Sequence, residues 1–207
     1  MARPTTPLIS RRTAVQAALE LIDEQGIEKF SLRKLGAKLG VHGMSIYHHF
    51  RDKDEILDEV ASLVLNELKA SPAPLDNIVE WSLVNAKRYR RALLEHPNAM
   101  PLFVKRLPTK NRAAMYVHEF EALDRLGINR EYWIVVLETI EAFVLGTAIF
   151  LRHGADRSMS DTSSLVRGAI DANKSTYDEV FELAFKEFIV SLYNAYRRKS
   201  GARTVAI

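Results

Sequence analysis

Cysteine is missing from all 207 residues. Its absence excludes disulfides, thiolate metal sites and a thiol nucleophile, and with them several enzyme classes and the small disulfide-built secreted scaffolds. Glycine and proline are scarce, at 9 and 7 residues, so breaks are rare and most of the chain must lie in a few long elements. Strand patterns are missing too: apolar residues return every three or four positions, the period of a helix. No uninterrupted apolar run has the length of a bilayer. The greasiest stretch, Trp133 to Leu151, contains Glu138 and Glu141, and its uncharged part from Ala142 lasts only ten residues, so it reads as a buried helix with no membrane partner. Met1 to Ser10 carries two prolines and no apolar signal core, which predicts a cytoplasmic location. There is no Gly-rich phosphate loop and no nucleophile elbow, and none of the six histidines has a glutamate three residues before it, as a di-metal helical bundle would need. The sequence therefore offers no catalytic residue, no metal site and no cofactor.

What is present concentrates in Ser31 to Phe50, SLRKLGAKLGVHGMSIYHHF. Leu32, Leu35 and Leu39 form one helical stripe behind Ser31, an N-cap residue type, and Gly40 stands where a left-handed residue ends a helix. A second helix fits from about Gly43 to His49, held inward by Ile46 and Phe50. It turns His42, Ser45, His48 and His49 outward. Two short helices around a tight turn, the second with a small, polar and basic outer face, form a surface suited to the major groove of double-stranded DNA. Charge agrees. The first 53 residues hold nine Lys/Arg against five Asp/Glu, whereas the whole chain is +3, so the remainder is slightly negative.

The flanking sequence builds a domain around this pair. A first helix is predicted from about Arg11 to Gln25, with Ser10 as N-cap, Val15, Ala18, Leu19 and Ile22 inward and Gly26 as the stop. Asp52 and Glu55 have capping-box spacing at the start of a longer helix whose apolar side runs through Ile56, Leu57, Val60, Val64 and Leu68 to Pro72 and Pro74. Residues 1–53 thus read as a helix-turn-helix DNA-binding domain, linked by the helix 53–70 to a larger helical domain, 54–207. In the latter, helices are predicted over about Leu75–Glu95, Asn98–Lys105, Thr109–Leu126, Arg130–His153, Leu165–Ala172 and Tyr177–Lys199, with a loop over Gly154 to Ser164. The Trp133 helix and the one holding Val180, Phe181, Phe185, Phe188 and Tyr193 are apolar on more than one side, which predicts a helical interface in a homodimer.

A single helix-turn-helix in a tri-helical unit, followed by a larger all-α domain, resembles the TetR family of one-component regulators. The run FSLRKLGAKLGVHGMSIYHHFRDKDEIL carries the resemblance to the family's DNA-binding domain. The Asn85-Ala86-Lys87, Arg91-Ala92-Leu93-Leu94, Pro108-Thr109 and Phe143-x-Leu145-Gly146 pieces resemble the regulatory domain of tetracycline repressors. By position, the resemblance implies that Arg33 approaches DNA from the helix before the turn. It also implies that Gly43, Met44, Ser45, Tyr47, His48 and His49 form the reading surface and that Lys53 meets a phosphate. Hydroxyl, ammonium and helix-terminal amides suit phosphate oxygens, while short side chains reach base edges or thymine methyls.

The same resemblance implies a small-molecule effector site in the larger domain. Asn85 sits at a ligand-binding asparagine, Tyr89 replaces an aromatic neighbour one turn on, and Phe103, Leu107, Glu119 and Phe143 fall at or beside pocket positions. Phe103, Ala142 and Leu107 stand where tetracycline repressors place metal-chelating and drug-contacting groups, and none of the three can hold a magnesium chelate. The expectation is a homodimeric repressor released from a pseudo-palindromic operator by a small organic ligand other than magnesium-tetracycline. An uninduced DNA-binding dimer or an activator is the alternative, and a helical enzyme a remote one.

Overall fold

The computed structural model describes residues 9–66, 77–105, 109–153, 164–172 and 175–197, and every regular element among them is helical. The α-helices are α1 Arg11–Gln25, α2 Leu32–Lys38, α3 Lys53–Asn66, α4 Ile78–Glu95, α5 Met100–Lys105, α6 Thr109–Arg125, α7 Trp133–His153, α8 Ser164–Ala172 and α9 Tyr177–Tyr196, with short 3-10 helices at Ile27–Lys29, Gly43–His48 and Arg130–Tyr132. The only pairing outside the helices among the described residues is one antiparallel bridge, Ile128 with Arg197. Leu107, Pro72, Pro74 and the loop expected from Gly154 lie outside or at the edge of the described residues.

The helices gather into two compact units, with α4 divided after Arg91 and α6 after Met115. The first unit holds α1, α2, α3, α5, the last turn of α4 and the first turns of α6. Its entry is set by Ser10, whose hydroxyl accepts the Thr13 N–H at 3.1 Å while Thr13 Oγ1 accepts the Ser10 N–H at 3.0 Å. Gly26 stops α1 at φ +83° with its N–H on the Ile22 carbonyl. Between them Ala14, Val15, Ala17, Ala18, Leu19, Leu21 and Ile22 are buried, and this alanine-rich stripe lets α2 and α3 approach closely. The turn after α4 ties back to the end of α1. His96 Nδ1 lies 2.7 Å from Asp23 Oδ2, and Asn98 Nδ2 donates to the Asp23 carbonyl at 2.7 Å. A segment beyond the expected boundary at residue 53 is thus part of the first compact unit.

The start of α3 differs in detail from the capping box read in the sequence. The Glu55 N–H does bond Asp52 Oδ1 at 2.8 Å, but the Glu55 carboxylate accepts from the Arg51 N–H at 2.6 Å and from Arg11 at 2.7 Å. A guanidinium brought from α1 competes for it, and only half of the reciprocal box forms.

The second unit is built from α4 up to Arg91, α6 from Tyr116, and α7 to α9. Its centre is aromatic: Phe143 stacks on Phe188 at 4.7 Å and meets Phe185 edge-on at 5.7 Å, while Phe181 stacks on Phe185 at 5.7 Å. Thr176 and Glu179 cap α9 reciprocally. Ile134, Val135, Phe150, Val180 and Leu183 remain exposed on α7 and α9, Phe150 at 79%. The buried helix expected over Trp133 to Leu151 is therefore buried within this chain along one face only. By length and composition alone the stretch Arg130–Phe150 would also pass as a membrane span.

Candidate functional site

The reading surface starts at Ser31, whose hydroxyl caps α2 by accepting the Lys34 N–H at 3.3 Å. After Lys38 the chain turns through Gly40 at φ +69°, and Val41 N–H closes the turn on the Gly36 carbonyl at 2.9 Å. His42 is extended, and its Nδ1 accepts the Met44 N–H at 3.3 Å, so it caps the next helix. That helix, Gly43–His48, is 3-10 in form, where the sequence predicted an ordinary helix. Its bonds run from Ser45 N–H to the His42 carbonyl and from His49 N–H to the Ile46 carbonyl, each 2.9 Å. Ile46 and Phe50 are buried, as their spacing requires.

Outward, Met44 is 64% and Tyr47 49% exposed, and His48 is exposed as well. Ser45 and His49 are half-buried. Gly43 has a local duty: a Cβ there would lie 3.3 Å from the Leu32 carbonyl oxygen and 3.4 Å from Arg33 Cα. The bare backbone lets the two segments cross.

Ion pairs thin out the basic charge counted in the sequence. Arg11 bonds Glu55, Glu59 and the His49 carbonyl and lies 4.5 Å over the Phe50 ring, so it works as a clamp. Sequence reading counted Arg11 only as charge; the signal available was the Glu55/Glu59 pair one turn apart. Lys38 pairs with Glu24 at 2.8 Å and Glu20 at 3.3 Å, and Arg51 with Asp52 at 2.8 Å. Arg12, Lys29, Arg33, Lys34 and Lys53 make no ion pair among the described residues, Lys34 donating instead to Gln25 Oε1 at 2.7 Å, so no carboxylate there offsets their charge. Lys53 Nζ donates to the Phe30 carbonyl at 2.9 Å, which leaves two of its three protons available. Lys53→Ala should weaken binding to every DNA sequence and flatten the salt dependence by about one unit of slope. An unchanged slope in a fluorescence-anisotropy titration would reduce Lys53 to its bond with Phe30.

Arg11 above all, then the Arg51 amide, holds the Glu55 carboxyl below its ordinary range, and Arg51 does the same to Asp52. Depressed carboxyls contribute stability above their unfolded pKa and lose it as pH falls through the folded value. The Arg11 clamp therefore loosens on acidification, beginning below about pH 4 to 5.

Of the expected effector residues, Asn85, Tyr89, Glu119 and Phe143 belong to the second unit, whereas Phe103 is buried in the first and Leu107 lies outside the described residues. Two of the four carry unmet hydrogen-bonding groups. Asn85 Nδ2 and Glu119 Oε2 are fully buried and have no partner. In the same unit, the Ser82 and Tyr193 hydroxyls bond at 2.9 Å across α4 and α9, and Tyr116 donates to Glu141 at 2.7 Å across α6 and α7. Burial raises the Glu119 carboxyl, with Glu141 adding in the same direction. Burial also pushes Tyr193 up to about 12, partly countered by its bond to Ser82.

Sequence reading missed the Ser82–Tyr193 pair and the burial of Arg90, whose guanidinium meets Asp178 at 2.6 Å and the Phe181 ring at 4.7 Å. A raised carboxyl works against stability as pH climbs from the unfolded pKa through the folded one. Glu119→Gln is therefore expected to raise the melting temperature at pH 7.5 and to leave it nearly unchanged at pH 4. A lower melting point at pH 7.5 would count against this reading.

A short helix with Met44, Tyr47 and His48 outward, presented by a glycine-braced turn after α2 and packed with α1 and α3, defines a helix-turn-helix DNA-binding protein. Residues 14–60 match the family described as bacterial regulatory proteins, tetR family, and residues 72–187 match the tetracyclin repressor-like C-terminal domain. The chain belongs to the tetR family and is a DNA-binding transcriptional regulator, not an enzyme. It is 31% identical over 148 residues to an HTH-type transcriptional regulator of Saccharopolyspora erythraea, covering 69% of this chain and 61% of that one. To the class A tetracycline repressor from transposon 1721 of Escherichia coli it is 28% identical over 181 residues, covering 82% and 84%. The Streptomyces coelicolor TetR family protein ActR, solved in complex with (S)-DNPA, superposes with a TM-score of 0.72 at 25% identity, over 92% of this chain and 100% of that one.

Proposed function

We propose that this protein is a cytoplasmic, homodimeric repressor that holds a pseudo-palindromic operator and releases it when a small organic molecule enters the second unit. The observation that carries the effector half is the pair of buried, unpartnered atoms Asn85 Nδ2 and Glu119 Oε2. A buried polar group without a partner destabilises by about 1–3 kcal/mol, and a ligand that satisfies both would recover that energy. Arg33, Gly43, Met44, Ser45, Tyr47, His48, His49 and Lys53 form the surface that contacts DNA, Gly43 by letting the helix lie close. Magnesium-tetracycline is not the effector, because the chelating positions hold Phe103, Ala142 and Leu107. The exposed apolar residues of α7 and α9 support dimerisation, since a second copy removes them from water.

The test is a mobility shift on the DNA upstream of the protein's own gene, with light scattering for mass. The reading expects a dimer, a single shifted complex whose strength falls steeply with salt, and its loss on adding an inducer from a small-molecule screen. A monomer, or a complex indifferent to salt, would overturn it. Ser45 and His49 separate base from phosphate contacts: their alanine variants are expected to change preference among operator variants by about 1–3 kcal/mol per contacted base pair.

A further inference from the structure

Three elements of the first unit meet at the guanidinium of Arg11. From the first turn of α1, Nη1 donates to the His49 carbonyl at the end of the recognition helix Gly43–His48. Nη2 donates to Glu55 Oε1 at 2.7 Å and to Glu59 Oε1, both on α3, and the guanidinium lies 4.5 Å over the ring of the buried Phe50. A carbonyl at the C-terminal end of a helix lacks an intrahelical donor, and an arginine side chain can supply one. Glu55 closes the same joint from the other side: its Oε2 accepts the Arg51 N–H at 2.6 Å, and its own N–H bonds Asp52 Oδ1 at 2.8 Å. The chain from His49 to Asp52, which joins the recognition helix to α3, is thus held at one end by Arg11 and at the other by a carboxylate that Arg11 itself engages.

Charge decides what Arg11 can do for DNA. Both of its terminal nitrogens are occupied, and two carboxylates face one guanidinium, so the group is net negative and does not draw a phosphate. Lys53 is the opposite case, because its partner is the neutral Phe30 carbonyl and its charge remains. Resting on the reading surface proposed above, we infer that Arg11 is a positioning residue for sequence recognition: it fixes the side chains of the recognition helix relative to Lys53, the first residue of α3, and sets the preference for the operator without touching DNA. Phosphate attraction is long in range and survives a small rotation of the helix, whereas contacts to base edges need donor and acceptor to meet at hydrogen-bond distance and angle.

The full-length protein is titrated by fluorescence anisotropy with two duplexes of equal length, the DNA upstream of its own gene and a scrambled duplex of the same composition, each over a range of salt. In Arg11→Ala, affinity for the upstream duplex should fall about tenfold or more, the size of one lost base-pair contact. Affinity for the scrambled duplex should change by less than about twofold, with its salt slope preserved, and that binding also reports that the unit is folded. Arg11→Lys keeps the charge but not the planar fork that spans His49 and two carboxylates, and should lose the preference nearly as fully. Glu59→Gln supplies a test of sign. It removes a negative charge, which by electrostatics alone strengthens binding to any DNA, yet it loosens the clamp and should weaken binding to the upstream duplex. If Arg11→Ala does not fold, Arg11→Lys and Glu59→Gln decide.

Equal losses on both duplexes with a salt slope about one unit shallower, restored by Arg11→Lys, would make Arg11 a phosphate contact and overturn the inference. A lower melting temperature with the preference unchanged would reduce the clamp to stability and overturn it too. If the natural protein itself holds the upstream duplex no better than the scrambled one, the operator reading fails and this inference fails with it.

Discussion

Replacing Gly36 with alanine is expected to abolish operator binding. A Cβ at that position lies 2.8 Å from the Val41 carbonyl oxygen and 2.9 Å from both N and Cα of Gly43. All three neighbours are backbone, so no side chain can swing aside, and the turn between α2 and the recognition helix must open. Overpacking of this kind destabilises by about 1–3 kcal/mol. The effect on DNA is larger, because a shift of about 1 Å in the helix misplaces every contact it makes at once. We expect at least about a hundredfold loss of operator affinity, near 2.7 kcal/mol, measured by anisotropy beside a denaturant melt. Gly146→Ala is the opposite control. Nothing lies within 4 Å of a Cβ there, and alanine in a helix interior should add about 0.5–1 kcal/mol of stability. Full operator affinity in Gly36→Ala would show that the two glycines need not touch.

The second large effect belongs to Phe185. It is fully buried and meets Phe143 at 5.7 Å, Phe181 at 5.7 Å and Phe188 at 6.2 Å. Removing a buried phenyl ring from such a cluster destabilises by about 3–5 kcal/mol. For a chain of this size each kcal/mol lowers the melting temperature by about 2–4 °C, so Phe185→Ala should melt roughly ten degrees early. The same variant should lose its response to inducer, since Phe143 and Phe188 lose the ring that fixes them. A change of only a degree or two would mean that the aromatic cluster closes over the gap.

Much of the helical layout was legible because its signals are local. Ser10, Ser31 and Asp52 announce helix starts through groups two or three residues away, and Gly26 and Gly40 announce stops through backbone conformations that other residues rarely adopt. The inward faces of α1 and of the recognition helix followed from period alone. The unread parts are pairings across the chain. Nothing near Glu55 in sequence tells that Arg11 takes its carboxylate, nothing near Asp23 points to His96 or Asn98, and nothing near Ser82 points to Tyr193. The 3-10 form of Gly43–His48 was also hidden, since the same six residues suit either helix and the choice follows from how closely Gly43 crosses Leu32 and Arg33. At the proposed effector site, resemblance brought Asn85 and Glu119 forward, but only burial distinguishes a polar group with a partner from one without.

The recognition helix is fastened to its unit by Ile46 and Phe50 pointing inward, by Gly43 lying flat against α2 and by Arg11 on the His49 carbonyl, all on its inner side. Met44, Tyr47 and His48 therefore contribute almost nothing to folding, and substitutions there fall in the range of ordinary surface changes, within about 0.5 kcal/mol. The residues proposed to choose the DNA sequence are thus separable from the residues that hold the protein together. Such a reading head can be given a new operator by exchanging three or four side chains, and a library built at Met44, Tyr47 and His48 should consist almost wholly of folded proteins that differ in the genes they find.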